Sequence, residues 1–87
     1  MSNEASRAVL VRLRRAHGQL AGVIAMVEAG RPCEDVVTQL AAASKALERA
    51  GFALVASSMR ECALAEGRGE APSVSTMRLE RLFLSLA

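Results

Sequence analysis

Apolar residues recur along the first third of the chain at alternating steps of three and four: Val9, Leu13, Ala16, Leu20, Val23 and Val27. Such steps place side chains on one stripe of a helix and leave polar residues on its other faces. The pattern predicts one amphipathic helix over residues 3–29. Gly18 and Gly22 interrupt it four residues apart, on a shared face. Each costs up to about 1 kcal/mol relative to Ala in a helix interior. Close approach by another helix would offset that cost. Gly30-Arg31-Pro32 ends the pattern. Gly30 suits a left-handed C-terminal cap, and Pro32 suits the first turn of a following helix. Glu34 and Asp35 favour a helix start there.

A second stripe runs through Val36, Leu40, Ala43, Leu47, Ala50 and Leu54 and ends at Glu61 or Cys62. It predicts a helix over residues 32–65, antiparallel to the first. At the usual rise per residue it is roughly 50 Å long, a length that implies a partner helix along its whole extent. The segment Gly67-Arg68-Gly69-Glu70-Ala71-Pro72 reads as a loop. Ser73 or Ser75 can cap a short last helix carrying Val74, Met77, Leu82, Phe83 and Leu86. No strand pattern or internal repeat stands out. The expected fold class is all-α: a three-helix protomer, with a long antiparallel hairpin and a short C-terminal helix, in a single domain over 1–87.

Composition adds a reason to expect assembly. The chain has 87 residues, 52% of them apolar, yet Phe52 and Phe83 are its only aromatics. Short Ala and Val side chains fill little volume, and a chain this small completes its core most readily by oligomerising. No uninterrupted apolar run reaches the ~18 residues of a membrane span, and the first residues lack the plan of a signal peptide. A cytoplasmic protein without a membrane partner is expected, in which cysteines serve as free thiols, metal ligands or redox sensors. Net charge is only +2, but Arg7, Arg12, Arg14 and Arg15 face a single acid, Glu4, near the N-terminus. Such a basic face suits a polyanion, with a solvated helix face as the simpler reading. No helix-turn-helix, zinc finger or aromatic platform accompanies it. No general base, phosphate loop or metal cluster accompanies the thiols, so neither an enzyme nor a cofactor is expected.

Cys33 and Cys62 lie 29 residues apart, or about 43 Å along a continuous helix. A disulfide needs Cα atoms within about 7 Å. The two therefore cannot meet within one unbroken helix, although a sharp break at Gly51 would allow it. If they pair at all, a two-fold dimer with antiparallel second helices brings Cys33 of one chain beside Cys62 of the other. Its axis passes between Leu47 and Glu48. Two unrelated cysteines are the alternative. Cys33, in the first turn of a helix near Arg31, suits an attacking thiol, and Cys62 a resolving one.

The segment from Arg12 to Val23, RLRRAHGQLAGV, resembles the first-helix signature of the copper-sensing operon repressor (CsoR/RcnR-type) family. Met26-Val27-Glu28, the run from Cys33 to Leu40 and Ala46-Leu47-Glu48-Arg49-Ala50 are similar to it as well, so the likeness covers the chain from about Val9 to Cys62. The resemblance implies a homotetramer of two antiparallel dimers that binds operator DNA and leaves it when an inducer occupies the cysteine site. It places Arg12 and Arg49 on the DNA-facing surface; charge clustering adds Arg14 and Arg15. Gln39 matches a position with a packing or hydrogen-bonding role. His17 and Ala21 depart from the family pattern. For His17, the only histidine, a surface or DNA-facing role is expected rather than metal ligation.

The inducer turns on one position. Copper sensors of the family hold Cu(I) with a cysteine, a histidine and a cysteine. The cysteines match Cys33 and Cys62, but the histidine position is Ser58, and a hydroxyl is a poor ligand for a soft ion. The persulfide-sensing branch keeps both cysteines and lacks the histidine. The expected function is therefore a repressor whose small sulfur-containing inducer links Cys33 and Cys62 of neighbouring subunits through a di- to tetrasulfide bridge. A Cu(I) sensor using the same two cysteines is the alternative, with no other metal ligand expected. Aldehyde sensing at the first cysteine and a plain helical interaction module are the remaining readings.

Overall fold

The computed structural model describes residues 2–72 and 74–86. Three helices follow one another: α1 (Asn3–Glu28), α2 (Cys33–Gly67) and α3 (Thr76–Leu86). Among the described residues there is no strand, and no helix is long and apolar enough to cross a membrane. The body is a thin slab of 57 × 25 × 13 Å.

The helix ends follow local backbone physics. Ser2 caps α1, its Oγ accepting a hydrogen bond from the Ala5 N–H at 3.1 Å. Gly30 takes φ +68°, and the Arg31 N–H reaches back to the Met26 carbonyl while the Gly30 N–H bonds that of Val27. This double closure satisfies carbonyls that the end of α1 leaves open. Pro32 is the cap of α2 rather than part of its first turn. Gly69, at φ +74°, repeats the closure at the other end, with Glu70 and Gly69 donating to Ala65 and Glu66. α2 therefore runs two residues beyond the expected end. Ser75 Oγ accepts from the Arg78 N–H at 3.2 Å and caps α3. The other expected cap, Ser73, lies outside the described residues.

Only half of each predicted stripe faces the core. Val9, Ala16 and Val23 are buried against α2, where Ala43, Ala46 and Ala50 are buried in turn. The other members, Leu13, Leu20, Val27, Leu40, Leu47 and Leu54, are each 40–60% exposed. Within the stripes Val9, Ala16 and Val23, then Ala43 and Ala50, and likewise the open members, recur every seven residues, with Ala46 adding to the buried side, so each stripe is two adjacent rows. A single neighbouring helix covers one row and leaves the next open. The glycine expectation holds in part. Gly22 faces Gln39, whose Nε2 would lie 3.5 Å from an added Cβ, whereas Gly18 has open space.

α2 continues unbroken through Gly51, where α3 comes closest. A Cβ there would lie 3.0 Å from Leu86 Cδ1. α3 runs antiparallel to the second half of α2. Leu79 is buried, and the rings of Phe83 and Phe52 meet at 5.2 Å with a 44° tilt. An aromatic pair of that kind adds about 0.5–1.5 kcal/mol beyond its burial.

Candidate functional site

Cys33 opens α2 and is exposed; Cys62 lies near its far end and is buried. With no break at Gly51, the helix holds them 29 residues apart, about 43 Å by the α-helical rise. They do not meet within the chain. The cation expected to act on Cys33 is engaged elsewhere, since Arg31 forms an ion pair with Asp35 at 3.1 Å. The surface exposure of both partners keeps that pair weak.

Cys62 is held by α3 as well as by its own helix. Its Sγ lies 3.6 Å from Glu66 Oε1, to which the thiol donates, and 3.5 Å from Thr76 Oγ1 at the start of α3. Glu66 is four residues on, as helical spacing allows. Thr76 is brought there by tertiary packing alone. Two cavities border Cys62. The larger, about 470 Å³, is also lined by Ser58, Glu61, Arg68 and Pro72. The smaller, about 190 Å³, lies between α2 and the first turns of α3. Among the described residues, no group of three or more His, Cys, Asp and Glu side chains is placed to hold a metal ion. A soft ion at Cys62 would therefore need sulfur from elsewhere, either a second subunit's thiol or a thioether.

The arginines divide. Arg12, Arg15 and Arg49 line one groove of about 520 Å³ between α1 and α2, together with Lys45 and Gln19. Arg14 is exposed but does not line it. Lys45 escaped the sequence reading, although it stands four residues before Arg49 and so on the same face. The Oε1 of Gln19 is shut off from solvent without a hydrogen-bond partner. His17 is placed on a different surface. It borders an apolar groove of about 380 Å³ with Leu13, Leu20, Leu40 and Leu47, away from the basic one. His17 is exposed, as expected of a surface residue, and its position on α1 sets it beside the open apolar row.

The fold and site together are those of an all-α protomer with a cationic groove across its helical hairpin and two thiols at opposite ends of one rod. The chain belongs to the metal-sensitive transcriptional repressor family, whose sequence profile matches residues 5–83. It is 41% identical over 68 residues to the copper-sensing transcriptional repressor CsoR of Mycobacterium ulcerans, covering 75% of this chain and 58% of that protein. CsoR of Mycobacterium tuberculosis is 35% identical over 68 residues, 75% of this chain and 57% of its own. The copper-sensing transcriptional repressor RicR of the same organism is 39% identical over 59 residues, 64% and 62% of the two chains. The matches thus span about three fifths of the length of these curated relatives. No solved structure matches the chain to a significant degree.

Proposed function

We propose that this protein represses transcription as a homotetramer and releases operator DNA when Cu(I) binds between Cys62 and the partner subunit's Cys33. The observation that carries the site is the unbroken α2, which keeps the two thiols of one chain about 43 Å apart. Two antiparallel copies of α2, related by an axis between Leu47 and Glu48, form two mixed thiol pairs. The open row of Leu13, Leu20, Leu40, Leu47 and Leu54 supports such pairing, because exposed apolar rows of this size mark contact surfaces. The copper-sensing names of the relatives favour Cu(I) as the signal. Thiolates suit that soft ion, and two of them can hold it linearly. Binding requires both thiols to lose their protons, so affinity rises with pH.

DNA is held through phosphate contacts from Arg12, Arg15, Lys45 and Arg49, with Arg14 adding positive charge outside the groove. Cu(I) need only bind the DNA-free form of the assembly more tightly to drive release.

Ser58 favours a second reading, a reactive-sulfur signal, since no imidazole stands one turn before Cys62. There, the Cys33 thiolate takes the outer sulfur of a persulfide and releases the donor thiolate. The partner's Cys62 then attacks the new Cys33 persulfide at the cysteine sulfur, forming an S–S bond and expelling hydrosulfide.

One experiment separates the two. Binding to promoter DNA is followed by fluorescence anisotropy under anaerobic conditions, with Cu(I) or with polysulfide, for wild type, Cys33→Ser and Cys62→Ser. Release by one Cu(I) per protomer in wild type alone supports the copper sensor. Release by polysulfide with a covalently linked dimer in the mass spectrum, and none by Cu(I), establishes the sulfur sensor instead. DNA binding that neither reagent alters in wild type overturns both.

A further inference from the structure

The two cavities beside Cys62 offer different donors. Ser58, four residues before it, lines the larger one. Met59, three residues before it, lines the smaller one with Cys62, Glu66, Thr76 and Leu79. The sulfur of Cys62 turns toward the smaller cavity: its polar neighbours are Glu66 Oε1 at 3.6 Å and Thr76 Oγ1 at 3.5 Å, and both residues line that cavity. Positions three apart on a helix share a face, and Met59 and Cys62 accordingly border one space.

The chemistry of that space discriminates among its donors. The Glu66 carboxylate and Thr76 hydroxyl are hard oxygen ligands, whereas a thioether is a soft one suited to Cu(I). Met59 is 46% exposed, so the core does not lock it in place. Its unbranched side chain, with three rotatable bonds, can swing its sulfur toward a bound ion without repacking α3.

We propose that Met59 is the third ligand of the Cu(I) site, completing a three-sulfur set with the thiolates of Cys62 and the partner subunit's Cys33. The proposal rests on the Cu(I) reading above. It answers the loss of imidazole at Ser58 by moving the third donor one residue along α2. The donor changes from nitrogen to sulfur, and the ion shifts toward the α3 side of Cys62. No bond is made or broken at the thioether, which binds through a lone pair and carries no proton.

The test uses the full chain, loaded anaerobically with one Cu(I) per protomer, as wild type and as Met59→Leu. Leu preserves apolar bulk at a half-exposed position, and helical content by circular dichroism checks the fold. Copper-edge X-ray absorption should show three sulfur neighbours in wild type and two in the variant. Competition with a chromophoric Cu(I) chelator should show affinity falling by about 10-fold or more, in line with the loss of groups that support a metal site. Met59→His should restore a third neighbour, now nitrogen. DNA affinity without copper should be equal in all three proteins. Tight binding with only two sulfur neighbours in wild type, or unchanged affinity in Met59→Leu, overturns the role of Met59 while the Cu(I) reading stands. Failure of wild type to retain Cu(I) overturns both.

Discussion

Leu47 sits beside the proposed two-fold axis, so its truncation is counted twice in every dimer. In the protomer it is 58% exposed. Burying a whole leucine side chain stabilises by roughly 1.5–3 kcal/mol, so the part still open to water is worth about 1.3 kcal/mol per copy. Two copies give about 2.6 kcal/mol, and at 1.4 kcal/mol per factor of ten the dimer dissociation constant of Leu47→Ala should rise about 70-fold. The Cβ that alanine keeps lowers this figure, and the cavity left behind raises it. Sedimentation velocity across a concentration series measures the constant directly. Leu84→Ala is the control, since Leu84 is 70% exposed but lies on α3, off the row. The reasoning fails if Leu47→Ala assembles like wild type, or if Leu84→Ala weakens assembly as much. A dissociated protomer also has its two thiols held apart on one helix. Cu(I) affinity in Leu47→Ala should therefore fall on dilution, where that of wild type does not.

Three further outcomes follow from the same packing. Arg49→Ala or Lys45→Ala should lower the slope of log DNA affinity against log salt by about 1, while Arg14→Ala changes it less, as read from anisotropy titrations. Leu79→Ala removes a side chain only 3% exposed between α3 and α2. It should lower stability by about 2–5 kcal/mol in urea unfolding at fixed protein concentration. Gly30→Ala places a Cβ at φ +68° and should cost about 1–2 kcal/mol in the same assay, with the hairpin retained.

Much of the fold was legible because helix formation is local. Steps of three and four, Gly30 before Pro32, acids at 34 and 35 and a serine before the last helix are signals each read within a turn or two. Cap geometry at both ends of the hairpin followed them to within a few residues. The end of α2 lies two residues past the expected one because Gly67 stays helical and the left-handed residue is Gly69. The candidate site was legible in part. The thiols and three of the four cations were visible as residue types, and Lys45 was recoverable from its spacing to Arg49. Thr76 was not, since it stands 14 residues from Cys62 across a loop. Met59 carries no local signal either, since only the packing of α3 makes it line a cavity with Cys62.

The sequence alone determined that two long helices form a hairpin and that its thiols cannot meet along one of them unless that helix breaks at Gly51. Both facts follow from periodicity and from a fixed rise per residue, which need no knowledge of what packs against what. Tertiary structure decided which of two adjacent apolar rows is buried and which cations share a groove. It also decided that α3 lies against Cys62 rather than away from it. Those outcomes depend on the rotation of each helix about its own axis. That rotation is set by the summed contacts of distant residues such as Leu79, Leu86 and Gly51, and no local pattern encodes it.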